Sequence, residues 1–557
     1  MRTTPTKTPS LKHVFVYLLV IAINAITLPS LISAQTIKDI ATNATDPSNL
    51  SDTEPSIAVD PTNPNRIAIV TFAENWGPGQ NAPVWISTDG GTTWTKSFII
   101  GTPASGQGGS NDQKIVFDSM GRLLAVQLDF GLTDFIYRQT GALGTNLTSG
   151  TGYGNDQPHI DVDRTPASPC FNRVYSPWLN TNIATWRSNV ERSTDFGATV
   201  TAVPAGSTAF HNRTTRVAVA PNGRAYIIYK TREGAVDANF ENAHFRVERS
   251  DDCGVTWNAL GATGVAVHAG TAITWFSNAW GNSAKGKTAR ARSSDAWIAV
   301  DPNSGDVYAA YCHRDASGFG QIFVSRSTDM GATWSSTRIT DGTHHSAYPE
   351  IAVAGNGAIG LLYIDYDDSG ASTIFRHRLA RSFNLGSTWT HSNLQSMDPG
   401  PIANAASGFL WGDYEGITAH GNKFYGVFTG QSIGRATLQL DPIFFTAPAT
   451  NLFIPNICKT KPWICKGVCD IPCNLQHCIS CMVEIFIDRI EDPWEIVLFD
   501  PAGKRVNVQQ TRRRNTVTMR FRPSRQFADR LEDYTVVFQG GKEGARPDAT
   551  IRARQIR

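Results

Sequence analysis

The nine residues RSTDMGATW, at positions 326–334, carry the pattern that decides the fold. A serine, an aspartate two residues later, a glycine and a Thr-Trp pair follow one another at fixed spacing. Four related stretches occur elsewhere in the chain: STDGGTTW at 87–94, STDFGATV at 193–200, SDDCGVTW at 250–257 and SFNLGSTW at 382–389. A motif that recurs five times indicates a repeat architecture, with one copy in each of several structural units.

Each copy lies between two stretches that have the character of β-strands. Before the copy at 326–334, Ile322 and Val324 alternate along the chain, and Trp334 begins the next strand-like run. We expect Asp329 to accept hydrogen bonds from backbone N–H groups of the turn. We expect Gly331 to adopt the positive φ that a compact turn requires. The motif therefore predicts a β-hairpin.

Two further strands precede each hairpin, such as AWIAVDPNSG (296–305) and DVYAAYCHR (306–314). Similar pairs recur so that seven units can be counted, at roughly 50 to 60 residues per unit as four-stranded blades require. The fold class is therefore all-β, a six- or seven-bladed β-propeller over residues 36–450. Residues 36–42 are a candidate closing strand for the last blade.

The two ends of the chain have different compositions. Residues 1–34 combine basic residues, an apolar run and small residues near Ala34, which is typical of a cleaved secretory signal peptide, with an uncleaved anchor as the alternative. A Cys-rich joint, 452–481, holds six of the nine cysteines, which favours disulfides over a metal knuckle in an exported chain. Strand-like runs in 482–557 predict a small β-sandwich-like C-terminal domain.

The pattern S-x-D-x-G-x-T-W resembles the Asp-box, or BNR repeat, of the sialidase superfamily, and the resemblance covers most of the chain. It implies that the five turns are structural and lie on the propeller face opposite the active site. It also implies a sialidase-like site, in which three arginines bind the substrate carboxylate, an aspartate is the acid/base, and a tyrosine activated by a glutamate is the nucleophile.

The opposite face should collect the residues that enter each first strand and those that join the second strand to the third. Acidic residues are common there, and carboxylates held together shift one another's pKa. The candidate catalytic residues are Asp413, Tyr414, Glu415, Asp156 and Asp295. The candidate substrate-binding residues are Arg213, Arg232, Arg314, Trp76, Trp178 and Tyr366.

Two features depart from the sialidase pattern. Neighbouring Tyr414 and Glu415 would point to opposite faces of a strand, which argues against their pairing unless the backbone turns there. Sialidases carry an Arg-Ile-Pro near the first inner strand, whereas this chain has Ala68 in place of the proline, with Arg66 on the predicted second strand. Arg66 is therefore not assigned to an arginine triad.

The formal net charge of +2 argues against nucleic acid as a partner. No D-x-D-x-D loop for Ca²⁺ occurs, so no metal and no cofactor are expected. The sequence favours an exported glycan-processing enzyme, a glycoside hydrolase of exo-sialidase-like activity with a glycan or polysaccharide substrate. A non-catalytic propeller that binds glycans or proteins outside the cell is the alternative.

Overall fold

The computed structural model describes the greater part of residues 35–449 and several strands beyond them. The ranges are 35–42, 44–46, 51–73, 82–100, 111–129, 131–236, 240–275, 296–314, 316, 319–367, 374–397, 414–435, 439–449, 482–488, 495–499, 506–513, 516–521, 535–539 and 550–556. All regular structure in these ranges is β-strand. Among these residues, no helix has the length and hydropathy that a membrane span needs.

Four-stranded antiparallel sheets follow one another along the chain. The first blade holds β2 (Asp52–Val59), β3 (Ile67–Ala73), β4 (Ala82–Ser87) and β5 (Thr95–Ile100). The second blade holds β6 (Asn111–Phe117), β7 (Leu123–Leu128), β8 (Asp134–Gln139) and β9 (Leu147–Tyr153). The third blade holds β10 (Asp161–Val162), β11 (Val174–Asn180), β12 (Arg187–Ser193) and β13 (Thr201–Pro204).

The fourth blade has a fifth strand that pairs with its third. It holds β14 (His211–Val219), β15 (Ala225–Val236), β16 (Phe240–Ser250), β17 (Val265–Ala266) and β18 (Ala272–Trp275). The fifth blade holds β19 (Trp297–Val300), β20 (Val307–Arg314), β21 (Gly320–Ser327) and β22 (Ser335–Arg338). The sixth blade holds β23 (His345–Val353), β24 (Ile359–Asp367), β25 (Ile374–Ser382) and β26 (Thr390–Met397).

The seventh blade is completed by the beginning of the propeller. Its strands β27 (Gly416–His420), β28 (Lys423–Gln431) and β29 (Leu440–Pro448) pair in order, and β1 (Thr36–Asp39) forms the fourth strand along β29. Residues 36–42 therefore contain the predicted closing strand. The protein is a seven-bladed β-propeller, which confirms the predicted fold class and decides the number of blades.

The apolar cores lie between successive blades. Along the strands, alternate side chains point to the two faces of each sheet, and both faces meet a neighbouring blade. One such cluster combines Val126 and Ile136 of the second blade with Ile160, Val162 and Val174 of the third. Because every blade is packed on two others, inner strands such as β7 are buried on both faces, whereas an outer strand such as β22 is exposed.

The five repeated turns join the third strand of a blade to its fourth. In the turn at 326–334, Ser327 Oγ accepts a buried hydrogen bond from Gly331 N at 2.8 Å. Asp329 accepts bonds from Thr333 N at 2.9 Å and Thr333 Oγ1 at 2.6 Å. Met330 and Gly331 both have positive φ, at 62° and 87°. The predicted roles of Asp329 and Gly331 are confirmed, and the serine adds an acceptor that the sequence did not suggest.

These turns also contact the preceding blade. A Cβ atom added at Gly91 would lie 2.3 Å from a ring carbon of Phe444, which belongs to the seventh blade. The Trp94 ring lies 5.0 Å from the same phenylalanine, centroid to centroid. The turn of the first blade is therefore packed on the seventh, at the point where the propeller closes.

Two of the three cysteines outside the Cys-rich joint form a disulfide. Cys170, in the loop between β10 and β11, is bonded to Cys253 in the repeated turn of the fourth blade. Cys312 in β20 is free and buried. The six cysteines of 458–481 and the predicted signal peptide of 1–34 lie outside the described residues.

The C-terminal strands form two sheets. One has the order β32 (Gln509–Arg513), β33 (Thr516–Phe521), β30 (Met482–Asp488) and β35 (Thr550–Ile556), and the other pairs β31 (Glu495–Phe499) with β34 (Thr535–Gln539). All pairings described for these strands are antiparallel. The region is β-rich as predicted, and its sandwich-like packing stays a prediction.

Candidate active site on the entry face

The propeller has an entry face, defined here as the end where the chain enters the first strand of each blade. Since the repeated turns join third to fourth strands, they lie at the other end of the antiparallel blades. The segments before each first strand and the connections from second to third strands share the entry face. Those predicted candidates that the structure describes lie in these segments or at the adjoining strand ends.

The first strands of four blades carry a β-bulge close to the entry face. The pairing with the second strand shifts register in β2, β6, β14 and β23. At each shift one non-glycine residue has a positive φ: Glu54 at 48°, Asp112 at 50°, Thr214 at 44° and Tyr348 at 54°. Bulges re-aim side chains, and strained backbone of this kind is concentrated at functional sites.

One of these bulged residues makes the central contact of the site. Tyr414, just before β27, donates its phenolic proton to Asp112 Oδ1 at 3.0 Å. The bond joins the seventh blade to the second. Tyr414 is buried, with 3% of its surface exposed, and the bond orients its Oη towards a carboxylate that can accept the proton.

Two buried cations lie against the ring of this tyrosine. Lys114 Nζ lies 3.9 Å from the centroid of Tyr414, and the Arg216 guanidinium lies 5.6 Å from it. Both also contact the Trp297 ring, at 4.4 Å and 5.0 Å. The hydroxyl of this tyrosine thus meets a carboxylate that can accept its proton, and its ring meets two cations.

Lys114 and Arg216 belong to a ring of residues at one level of the propeller. Each member of this ring lies three residues before the last apolar residue of the first strand of its blade. One residue from each blade stands at this level: Ser56, Lys114, His159, Arg216, Trp297, Glu350 and Gly416. The His159 and Trp297 rings are 5.4 Å apart, and Lys114 Nζ lies 3.6 Å from Glu350 Oε1. These side chains meet across the axis beneath Tyr414.

Below this level a central channel of 310 Å³ runs between the first strands. Its wall is made largely of small and apolar residues, among them Ala58, Ala218, Ala299 and Ala352. Lys114, His159 and Glu350 line the same channel at the level described above. The charged groups therefore separate the channel from the entry face.

Burial dominates the ionisation of the charged pair. It lowers the pKa of Lys114 to about 8, against the opposing effect of Glu350, and it raises the pKa of Glu350 to about 7. Glu350 accepts hydrogen bonds from the backbone N–H groups of Glu415, at 3.1 Å, and Ile417, at 3.3 Å. The pair is thus fixed to the start of β27, directly beside Tyr414.

A second group of carboxylates lies on the second and third blades. Asp134, at the start of β8, is fully buried, and its pKa is raised well above the ordinary value by burial and then by Asp156, Asp112 and Asp129. Asp156 is half-buried just before β10. Burial and the neighbouring carboxylates together favour the protonated form of Asp134.

Glu415, which the sequence suggested as a partner for Tyr414, points elsewhere. Its Oε2 accepts a hydrogen bond from Thr429 N at 2.7 Å, and its Oε1 lies 3.3 Å from His377 Nε2. Burial raises the pKa of Glu415 well above its usual range. As the strand geometry implied, neighbouring side chains diverge, and the carboxylate that meets Tyr414 comes from Asp112 instead.

The predicted substrate-binding residues spread over several blades. Arg213 in β14 and Arg232 in β15 belong to the fourth blade, and Arg314 ends β20 of the fifth. The Arg213 guanidinium lies 5.0 Å from the Trp186 ring. Trp178 in β11 is 9% exposed, with the Tyr153 ring 6.5 Å away. All four lie at the entry face.

Four predicted residues cannot be compared with the structure at the level of the side chain. Asp295, Asp413 and Trp76 lie outside the described residues, and Tyr366 is described only as part of β24. Arg66 immediately precedes β3 and forms an ion pair with Asp60. It lies at the end of the blade remote from the entry face, which agrees with its exclusion from the site.

The sequence analysis missed Lys114, Glu350 and Asp134, and it did not connect Asp112 with Tyr414. A signal for the first two was present. The stretches NDQKIVF (111–117) and AYPEIAV (347–353) place opposite charges at equivalent points of two first strands. No such signal exists for the bond between Asp112 and Tyr414, which are 302 residues apart and meet only because the propeller closes.

Comparisons with protein-family models and with curated proteins find no match. Similar solved structures include a protein of unknown function from Dyadobacter fermentans, with 14% identity, coverage of 74% of this chain and 99% of the other, and a TM-score of 0.39. The Hadza microbial sialidase Hz136 has 15% identity, coverage of 72% and 66%, and a TM-score of 0.37.

A polysaccharide lyase, the PL25 ulvan lyase bound to -[GlcA(1-4)Rha3S]-, has 9% identity, coverage of 71% and 93%, and a TM-score of 0.42. Sialidases are therefore among the chains of similar structure, as the motif resemblance implied. Identity stays at or below 15% and the TM-score below 0.5 for all three, so the activity is inferred from the residues of this site.

Proposed function

We propose that the protein is an exported glycan-processing enzyme, a glycoside hydrolase with exo-sialidase-like chemistry at the entry face. The observation that carries the proposal is the 3.0 Å hydrogen bond from Tyr414 Oη to Asp112 Oδ1. A tyrosine paired with a carboxylate on the axis of a propeller is a nucleophile with its general base already in place. The neighbouring cations favour the same ionisation.

In the first step Tyr414 Oη attacks the anomeric carbon and transfers its proton to Asp112. The bond from the anomeric carbon to the leaving oxygen breaks, and a carboxylic acid on the opposite side protonates that oxygen. Asp156 is our candidate for this acid, since it is half-buried at the entry to the third blade. In the second step water bonds to the same carbon as it loses a proton to Asp156, the bond from that carbon to Tyr414 Oη breaks, and Tyr414 Oη takes its proton back from Asp112.

A tyrosine suits a substrate that carries its own carboxylate, because its hydroxyl is neutral until Asp112 takes the proton, whereas a carboxylate nucleophile would repel that group throughout the approach. Arg213, Arg232 and Arg314 are candidates to bind the substrate carboxylate, since planar guanidinium groups pair with carboxylates through two hydrogen bonds. They lie on the fourth and fifth blades, away from the carboxylates of the second and third.

Export is part of the proposal. The signal-like segment 1–34 motivates it, and the disulfide between Cys170 and Cys253 supports it, because disulfides persist mainly in oxidising compartments. Removal of the signal should occur near Ala34, before β1. Mass spectrometry of the protein recovered from the medium of its host would measure the new N-terminus.

The test is a turnover screen of the purified protein on aryl glycosides including sialosides, and on plant and animal polysaccharides. Reducing-end release and ultraviolet absorbance would separate hydrolysis from elimination. With a substrate identified, Tyr414→Phe and Asp112→Asn should each lower kcat/KM by at least roughly 10²-fold with little change in melting temperature, since nucleophilic and acid–base groups contribute about that much.

A matched control is available in the same blade. Tyr425 is also buried and has a lysine, Lys423, 4.9 Å from its ring, but it lies on β28. Tyr425→Phe should therefore leave turnover unchanged. Binding of a glycan without turnover, unaffected by either site variant, would contradict the proposal and favour the non-catalytic binding propeller.

A further inference from the structure

Lys114 has no direct part in the proposed bond-breaking steps, yet it is buried in the centre of the propeller. Only 4% of its surface is exposed. Its ammonium group lies 3.9 Å from the Tyr414 ring centroid, 4.4 Å from the Trp297 ring centroid and 3.5 Å from the carbonyl oxygen of Glu415. A lysine in the interior destabilises a fold unless it is paired, so its position needs a reason beyond packing.

The partner of the lysine is Glu350, and the two are placed by strands of different blades. Lys114 comes from β6 and Glu350 from β23, with 3.6 Å between Nζ and Oε1. The backbone N–H groups of Glu415 and Ile417 bind the Glu350 carboxylate and hold it in place. The lysine is thus fixed against the face of the tyrosine, while Asp112 occupies the hydroxyl end.

We infer that Lys114 is a positioning residue that stabilises the phenolate form of Tyr414 through the face of its ring. The inference rests on the proposed function, because attack of Tyr414 on the anomeric carbon is what gives the phenolate form a role. A cation at this distance, shielded from water, favours the ionised tyrosine by direct electrostatic attraction. Asp112 can then accept the Tyr414 proton at a smaller cost in free energy, because the cation stabilises the phenolate that forms.

Other ionisable groups around this position act on the same equilibrium. The groups that face Tyr414 or Lys114 from the packed elements are Asp112 in β6, Glu54 in β2, Arg216 in β14, Glu350 in β23, Glu415 before β27 and His159 before β10. Arg216 acts in the same direction as Lys114 but lies farther from the ring, at 5.6 Å. Burial together with both cations lowers the pKa of His159 well below its ordinary value, so this histidine adds no charge near neutral pH.

The test measures the ionisation of Tyr414 itself, without any substrate. Ultraviolet difference titration of each protein against its Tyr414→Phe counterpart isolates the tyrosinate absorbance of this one residue. Burial lowers the pKa of Lys114 to about 8, so the native lysine loses its charge within the pH range of a tyrosine titration, whereas an arginine at this position stays charged. We expect the midpoint to lie at least about one pH unit lower in Lys114→Arg than in Lys114→Met, since one pKa unit corresponds to a tenfold change in the ionisation equilibrium.

Two further variants separate the effect from damage to the fold. Lys114→Met and Lys114→Arg are each combined with Glu350→Gln, so that no unpaired carboxylate is left buried, and the midpoint should again be lower in the variant that carries arginine. Lys96→Met is the matched control, because Lys96 also pairs with a carboxylate, Asp46 at 3.2 Å, and lies 5.5 Å from the Trp85 ring. It should leave the Tyr414 titration unchanged.

Equal Tyr414 midpoints in folded Lys114→Arg and Lys114→Met, with and without Glu350→Gln, would overturn the inference. That result is distinct from failure of the proposed function, which would appear as full activity in Tyr414→Phe whatever the titration gives. Where both hold, the pH profile of kcat/KM should move with the tyrosinate midpoint.

Discussion

At the scale of single residues, the site depends on backbone conformations that ordinary strands do not contain. Asp112 has a φ of 50°, which is unfavourable for a residue with a side chain, and its carboxylate meets Tyr414 from that position. Glu54 and Tyr348 have the same conformation in the corresponding bulges. The strain is tolerated because the rest of each strand is fully paired and buried.

Buried carboxylates should make the stability of the protein fall as the pH rises above about 4. Asp134 illustrates the sign: its pKa is raised in the folded state from 3.8, so the folded protein binds more protons than the unfolded one. Its contribution to the free energy of unfolding is present at low pH and is lost as the pH rises towards the folded pKa. Asp134→Asn should therefore flatten the loss of stability as the pH rises above 5, measured by urea unfolding.

The control for this prediction is Asp89→Asn. Hydrogen bonds lower the pKa of Asp89 to about 2, so this carboxylate is ionised in both the folded and the unfolded state throughout that range. Asp89→Asn should therefore leave the pH dependence of the free energy of unfolding unchanged. If Asp134→Asn retains the full pH dependence of the unmodified protein, Asp134 does not hold the proton that its surroundings imply.

At the scale of elements, the repeated turn divides its hydrogen bonds between two side chains. The serine accepts a buried bond from the glycine N–H, and the aspartate accepts exposed bonds from the threonine. The same division is seen in the turns that begin at Ser87, Ser193 and Ser250. The turn that begins at Ser382 has Asn384 in place of the aspartate and keeps the bond to the backbone of Thr388, at 2.9 Å.

This division predicts that Ser327→Ala is more damaging than Asp329→Ala. Loss of Ser327 Oγ leaves the buried N–H of Gly331 without its acceptor, at a cost of about 1–3 kcal/mol. Loss of Asp329 exposes the Thr333 N–H to water, so the cost should be smaller. Chemical denaturation measures both, and turnover per folded molecule should survive in each, since the turn lies opposite the entry face.

Asp329→Asn is the matched control, because Asn384 shows that an amide makes equivalent bonds in the same turn. It should be close to the unmodified protein in stability. A larger loss from Asp329→Ala than from Ser327→Ala would contradict the assignment of the buried acceptor to the serine.

At the scale of the whole molecule, closure of the propeller joins the two ends of its sequence. β1 pairs with β29 over four residues, and Asp39 also binds the backbone of Ile433. Ile40 and Ala41 continue into the core shared by the first and seventh blades. The bond from Tyr414 to Asp112 spans the same closure, so the site is formed only when the ring of blades is complete.

Truncation should therefore be far more damaging at one end than at the other. A chain of 44–450 lacks β1 and should lose stability and turnover relative to 36–450, because the last sheet is left with an open edge. Removal of 452–557 alone should leave a folded propeller, since the strands described in the tail pair with one another. Urea unfolding and size-exclusion chromatography would compare the two. An aggregated 36–450 would show that the tail completes the core.

The sequence predicts the architecture far better than it predicts the chemistry. Asp329 and Gly331 lie in a local turn, and local turns follow from a few neighbouring residues, so the repeat revealed the blades and the face on which the turns lie. The position of the entry face, opposite the repeated turns, follows from the same repeat. Asp112 and Lys114 depend on a bulge and on contacts between blades that are distant in sequence, and no pattern along one strand encodes such contacts.

The most direct test of the proposed chemistry is to trap the covalent intermediate on Tyr414. A fluorinated glycosyl fluoride of the sugar that turns over should form a glycosyl-enzyme whose breakdown is slow. Peptide mass spectrometry should then find one added glycosyl group on Tyr414, none in Tyr414→Phe, and unimpaired labelling in Tyr425→Phe. Turnover of the parent substrate with the label on another residue, or with no label at all, would contradict the account.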